Sequence, residues 1–474
     1  MLQSKLFESL RCFGPKHLNQ LRKIILSPVF NKDEDLIKLF DYLLPFAPRF
    51  SNRKLSKEAV YKKAMNVSEF DEKRMGYLMS NMLKMIDQLV VQQGLKKQPQ
   101  VINQMLMNGY LDLNLEKNYT SALKEARAAQ KNSSYRDAEF YFNEFQLQAM
   151  NNAYFDKQRK HTFDESLQKA IDSLDLYYLS VKLKYSCEIA NRKNVLTADY
   201  ELRLLDEILI YLKQNPYDHV PAIAIYFKIL MTLLESENES HFDDLKSLLS
   251  KNIYKFPVKE ARDMYRYAQN YCIKKINRGE PKFLKELFSL YKTGIENEIL
   301  IEGKYLSPWT FKNIAVVALR IEEFDWTENF IHEYRERLSP KFRENAFHLN
   351  LTLFHFYKNN YGEALSLLQK VAFTDIVYVL ETKTLMLRIY YELNEIEALH
   401  SLIDSFKALL RRNKLISAFR RNVHLNLLKY VKKLSRIRNG DKTKLAELKS
   451  KISEEKQVAS IDWLLKKVDE KFKK

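Results

Sequence analysis

The sequence predicts an all-α protein: an α-solenoid of antiparallel helix pairs between an N-terminal helical domain and a basic C-terminal helical cap. Three observations carry that expectation. Only 9 glycines and 11 prolines occur in 474 residues, too few for the tight hairpins that sheets consume. Hydrophobic residues make up 46% and aromatics 12%, enough for a continuous core and against general disorder. Apolar side chains then recur every three to four positions, the period that gathers them on one face of a helix. The expected divisions are 1–100, 101–410 and 411–474.

Within 1–100, Pro15 follows Gly14 and opens a helix through Ile25, as a proline in a first turn can. A second helix runs from Asp33 to Leu44 and stops at Pro45; a polar loop over Arg49 to Lys54 leads to a short helix from Lys57 to Met65. Ser68 with Asp71 three residues on has the form of a capping box. It introduces a longer helix with Leu78, Met82, Met85, Ile86 and Leu89 on one face. Closely spaced helices with basic connections are compatible with a helix-turn-helix, but no wing strands follow and the turn lacks a glycine, so a bundle that begins an array is the plainer reading.

From residue 101 helical stretches alternate with short polar breaks. Ala346, Leu349, Leu353, Phe354 and Tyr357 form one stripe, and Tyr361, Gly362, Glu363, Ala364 and Leu365 then start a second helix with an aromatic, a turn glycine and a small residue. Leu393 to Ala398 occupies the same place one repeat on, and Phe324, Asp325, Trp326 and Thr327 form a looser copy before. From Thr327 to Ala364 to Ala398 the spacings are 37 and 34 residues, the second being the period of a tetratricopeptide repeat. Over roughly 310–410 the chain therefore resembles the tetratricopeptide family. That resemblance implies that Thr327, Ala364 and Ala398 let paired helices approach closely and that Tyr361, beside Gly362, fills the adjoining gap. Gly362 is the one turn glycine of the three copies and the helix-ending proline is mostly missing. Upstream, breaks near Asn238 and Gly279 indicate further helix pairs with irregular spacing.

Charge is distributed unevenly. The net charge is +18. Residues 1–100 hold 18 Lys and Arg against 10 Asp and Glu, and residues 405–474 hold 21 against 7. The middle, with 39 against 43, is nearly neutral. Such asymmetry speaks of partners rather than of fold. Residues 411–440 contain ten Lys or Arg and no Asp or Glu. On a helical wheel Ile416, Phe419, Val423, Leu427, Tyr430, Val431 and Leu434 gather on one side, and Lys414, Arg421, Lys429, Lys432 and Arg436 opposite, with Lys433 at the edge. The expectation is one amphipathic helix, ended by Gly440, that presents a positive ridge to a polyanion. Solvated lysines, or neutralisation by an acidic face elsewhere, would explain the same pattern without a ligand.

Chemistry is sparse. Phosphate-cradling loops need crowded glycines, yet the closest two, Gly294 and Gly303, stand nine apart. No His-Glu-x-x-His pattern occurs; His348 and His355 are two helical turns apart, and Glu322/Glu323 and Asp243/Asp244 read as solvated neighbours. Cys12, Cys187 and Cys272 follow no ligand spacing and suit reduced thiols in a cytoplasmic setting. Lys5, Glu8 and Arg11 interrupt the first apolar stretch, which argues against a signal peptide. No run of about 18 apolar residues argues for a membrane span. The expectation is a non-enzymatic scaffold with no cofactor or metal that binds a protein or peptide. The competing expectation is a nucleic-acid-associated protein gripping phosphates through both basic ends.

Overall fold

A computed structural model describes residues 3–51, 55–158, 163–193, 199–371, 375–455 and 457–473. Residues 52–54 of the expected polar loop and the first two residues lie outside them. The described residues form 23 α-helices and one short hairpin, Ile301–Glu302 against Tyr305–Leu306, so the fold is all-α. Packing divides the chain into two compact units, Met1–Val181 and Lys182–Lys474, with the division inside the helix Glu165–Lys193.

The first unit begins with helices whose ends are written in local chemistry. Pro15–Ile25 has its proline at the first helical position and buries Leu18, Leu21, Ile24 and Ile25. Glu34–Leu43 is capped by the Asp33 side chain and tightens into a 3-10 turn at Leu44–Phe46, where Pro45 cannot continue the α-helical ladder. Lys57–Met65 starts at a Ser56 cap and ends on Asn66 in the left-handed region. The next helix, Glu72–Leu95, corrects the expected capping box. Its cap is Asp71, which accepts from the Arg74 amide at 2.8 Å, and Ser68 lies in a bend before it. The expected face, Leu78, Met82, Met85, Ile86 and Leu89, is buried in one core with Leu6, Phe7 and Phe40. A second core gathers Met107, Tyr119, Leu123 and Leu147. There the Tyr119 ring stacks on Tyr154 at 4.3 Å and its hydroxyl donates to the Met150 carbonyl.

The second unit is built from consecutive helix pairs: Pro221–Leu234 with Ser240–Asn252, Val258–Asn277 with Phe283–Glu296, Pro308–Arg320 with Phe324–Glu333, Arg343–Tyr357 with Tyr361–Leu368, and Ile376–Glu392 with Ile396–Arg412. The last three share one turn. Glu322, Asn359 and Asn394 adopt φ of 65°, 63° and 58°. The following amides, of Glu323, Asn360 and Glu395, donate back to the carbonyls of Ala318, His355 and Tyr390 at 3.0, 2.8 and 3.0 Å. This left-handed closure satisfies carbonyls that a helix end leaves open. Gly279 at φ 92° does the same in the preceding pair, through Glu280 to Lys275.

That turn revises the repeat residues. Gly362 stands inside Tyr361–Leu368 without a left-handed backbone, and a Cβ there would meet nothing within 4 Å; the turn is made by Asn359, since asparagine tolerates this conformation. The left-handed residues at 322, 359 and 394 are 37 and 35 apart. Five residues beyond them lie Thr327, Ala364 and Leu399, each 0% exposed. In the third pair the sealed position is thus Leu399, and Ala398 is partly exposed. Tyr361 packs edge-on against Phe356 at 5.5 Å and donates its hydroxyl to Asn359 Oδ1.

Candidate functional site

The basic segment is shorter as a helix than its charge pattern suggests. Ile396–Arg412 ends with Arg411 and Arg412 in its last turn, Lys414 sits in the connection, and a new helix runs Ala418–Arg436 behind a Ser417 cap. Leu427, Tyr430, Val431 and Leu434 are buried as expected, and Ile416 with them. Phe419, expected on the apolar face, is 63% exposed; it stands in the first turn of the helix, which begins only one residue before it.

Two members of the expected ridge are committed to the fold. Arg421 donates to the carbonyls of Leu410 at 2.9 Å, Ile416 at 3.2 Å and Asn413 at 3.4 Å, closing the open end of the preceding helix. Lys432 is half-buried beside Asp404 at 3.6 Å. Lys471 likewise caps the far end of the basic helix through the carbonyls of Leu434 and Ile437. Lys414, Lys429, Lys433 and Arg436 remain exposed. Of these, Lys429, Lys433 and Arg436 recur at i, i+4 and i+7, a single stripe along the helix.

A second constellation was not visible in the sequence. Helices Pro308–Arg320, Arg343–Tyr357, Ile376–Glu392 and Ala418–Arg436 surround a cavity of about 390 Å³. A larger one, about 670 Å³, adjoins it toward the last helix, Ile461–Lys473. Val316, Arg388 and Ser460 line both, so one helix from each of three successive pairs faces a common cleft. Six of the fifteen residues that line the smaller cavity are leucine or valine, beside Lys312, Glu381, Thr384, Arg388, Arg420 and His424. Its Glu381 is held by both oxygens on Lys312 Nζ, at 2.6 and 2.7 Å. His424 Nδ1 lies 3.3 Å from the Thr384 hydroxyl. Burial and the nearby Arg420 charge push His424 down to about 4. Thr384 gives its own proton to the Leu380 carbonyl at 2.8 Å, which leaves the pair without an activated nucleophile.

The larger cavity is closed by charge. Glu392 accepts from Trp463 Nε1 at 2.7 Å and pairs with Lys467 at 2.8 Å, both side chains only 10% exposed. Burial works against the Lys467 charge, but Glu392 and Glu470 outweigh it and leave its pKa raised. Arg388 is different. Its guanidinium lies over Phe356 at 4.3 Å and Trp463 at 5.5 Å, and its Nε is sealed from solvent with no hydrogen-bond partner. Burial pulls it below the ordinary arginine range despite the Tyr357 hydroxyl and Glu392 nearby. The signal that could have found this site is an arginine, Arg388, between Leu387 and Ile389 in a strongly apolar helix.

The remaining candidates are separate. His348 is nearest Glu344 at 3.9 Å and His355 lies 2.9 Å from Glu363, on different carboxylates. Cys187 and Cys272 are buried, and burial raises both thiols. Among the described residues no group of three His, Cys, Asp or Glu side chains is placed to hold a metal, and no helix is long and apolar enough to cross a membrane. No protein-family model matches the chain, and no curated protein sequence matches it.

Proposed function

We propose that this chain is a non-enzymatic interaction protein of the cytoplasm, with tetratricopeptide-like pairs over roughly residues 310–410, and that its cleft receives a segment of a partner protein. The observation that carries this reading is the convergence of Pro308–Arg320, Arg343–Tyr357 and Ile376–Glu392 on one cleft, with an aliphatic patch in its smaller part and charged groups in its larger. Stacked helix pairs generate such surfaces, and the few fixed polar groups supply orientation. The chain's own helix Ile461–Lys473 already rests there through Trp463 and Lys467, so a helical segment suits the space.

The test uses Val316→Trp, which fills the wall common to both cavities, beside a Lys429→Gln/Lys433→Gln/Arg436→Gln variant. Proteins recovered from the native host by the wild type and by the triple variant, but lost with Val316→Trp at unchanged helicity, support the cleft. Equal recovery by wild type and Val316→Trp refutes it.

A second reading rests on the exposed stripe of Lys429, Lys433 and Arg436 together with Lys414: phosphate contacts to a nucleic acid without sequence readout. Three or four neutralised phosphates imply an affinity loss of roughly 40- to 150-fold between 50 and 200 mM salt. A flat salt response, or no binding of labelled DNA and RNA at low salt, removes this reading.

A further inference from the structure

We propose that the connection between the helices Ile396–Arg412 and Ala418–Arg436 is a membrane-docking tip. Leu415 and Phe419 enter the surface of a bilayer that carries anionic lipids, while Arg411, Arg412, Lys414 and Arg420 meet the headgroups. The inference is independent of the cleft, since a chain without any partner segment would still dock in this way.

The connection is built to hold apolar side chains outward. Ile416 is anchored inside at 3% exposed, yet Leu415 beside it is 83% exposed and Phe419 is 63% exposed. Local bonds fix that arrangement. The Leu415 amide donates to Asn413 Oδ1 at 2.9 Å, and the Arg420 amide donates to the Ser417 hydroxyl at 3.3 Å. The Arg421 guanidinium ties the same stretch together through the carbonyls of Leu410, Asn413 and Ile416. A single exposed leucine on a surface needs no explanation. Here, among the described residues beyond Ile396, no other large apolar side chain is exposed, and the two that are coincide with a cluster of cations.

Charge decides what covers them. Arg411 and Arg412 stand in the last turn of the preceding helix, Lys414 in the connection and Arg420 in the first turn of the next helix, and all four are exposed. No Asp or Glu occurs from residue 405 to residue 440, and among the described residues no ion pair engages the four. A positive rim around an apolar tip matches a surface that is negative at its headgroups and apolar beneath them. A nucleic acid would match the cations and stack on Phe419, but it offers nothing to Leu415, the more exposed of the two. A cation near an anionic bilayer is worth about fivefold in affinity, and an apolar side chain moved out of water about tenfold. The tip thus supplies the two kinds of signal that peripheral anchoring requires.

Sedimentation of the full chain with lipid vesicles tests the proposal. Vesicles of phosphatidylcholine and phosphatidylserine in equal parts are expected to carry the chain down at low salt, and vesicles of phosphatidylcholine alone to leave it in solution. Leu415→Gln and Phe419→Gln are each expected to weaken binding about tenfold at unchanged circular dichroism. Arg411→Gln/Arg412→Gln/Lys414→Gln/Arg420→Gln is expected to abolish it, whereas Lys429→Gln/Lys433→Gln/Arg436→Gln, farther along the same helix, should bind like the wild type. No binding to the mixed vesicles at low salt, or equal binding to phosphatidylcholine alone, would overturn the proposal. Undiminished vesicle binding by Leu415→Gln would do the same, as would a loss seen only with the Lys429, Lys433 and Arg436 variant. Labelled single-stranded DNA whose binding falls with Phe419→Gln, while vesicle binding does not, would assign the tip to nucleic acid instead.

Discussion

Glu392→Gln tests how the last helix is held. The carboxylate serves two donors from Ile461–Lys473, the Trp463 indole at 2.7 Å and Lys467 Nζ at 2.8 Å, in a site where both charged side chains are 10% exposed. Glutamine keeps the volume and can still accept from the indole, but it cancels the charge. Removing one member of a buried pair costs about 3–5 kcal/mol when the other is stranded. Here Glu470 stays 2.7 Å from Lys467, which reduces the expected loss to about 2 kcal/mol. Lys467→Met should cost a comparable amount by leaving Glu392 with the indole alone. The double variant should lose less than the two together, with a coupling of about 1–2 kcal/mol. Urea unfolding followed by tryptophan fluorescence is the assay, with the two units allowed separate transitions. A Glu392→Gln loss below about 0.5 kcal/mol, or strict additivity, would refute the reasoning and leave the apolar packing of Leu464 and Val468 and the Lys471 bonds to the Leu434 and Ile437 carbonyls to dock this helix.

Four further outcomes follow from single residues. Glu322→Gly should stabilise the second unit by about 1 kcal/mol in urea melts, because a side chain at φ 65° pays a left-handed penalty of about 1–2 kcal/mol that glycine avoids. His424 has its folded pKa near 4 against an ordinary 6.5. Its neutral burial is therefore fully favourable above about pH 6.5 and is lost as the pH falls toward 4. Stability should drop by about 2 kcal/mol between pH 7 and pH 5 through this group, a slope that His424→Gln should remove. Arg421→Ala should cost about 1–3 kcal/mol by opening the carbonyls of Leu410 and Ile416, whereas Lys433→Gln should stay within about 0.5 kcal/mol.

Helices were legible where the signal is local. Pro15 at a first turn, the apolar face from Leu78 to Leu89 and the stripe from Ala346 to Tyr357 all depend on residues within a few positions of one another, and they appear as expected except that Tyr357, the last of its stripe, is only partly buried. The errors share a cause. Ser68 and Asp71 are both good caps, and only the path of the chain decides that Asp71 takes the Arg74 amide. Gly362 drew attention as a turn former, but left-handed turns accept asparagine, and Asn359 and Asn394 carry no periodic mark to distinguish them from any polar loop residue.

The basic segment shows why composition alone misjudges a surface. Ten cations in thirty residues look equivalent on a wheel, yet a wheel records direction and not reach. Arg421 is long enough to return to three carbonyls at the end of the helix before it, and Lys432 finds Asp404 on that same helix. Both would be drawn as ridge, and both hold one helix to the next. Arg388, outside the basic segment altogether, has no ion pair among the described residues, and its guanidinium instead lies over the rings of Phe356 and Trp463, 32 and 75 residues away. Long-range packing of that kind leaves no periodic trace in the sequence.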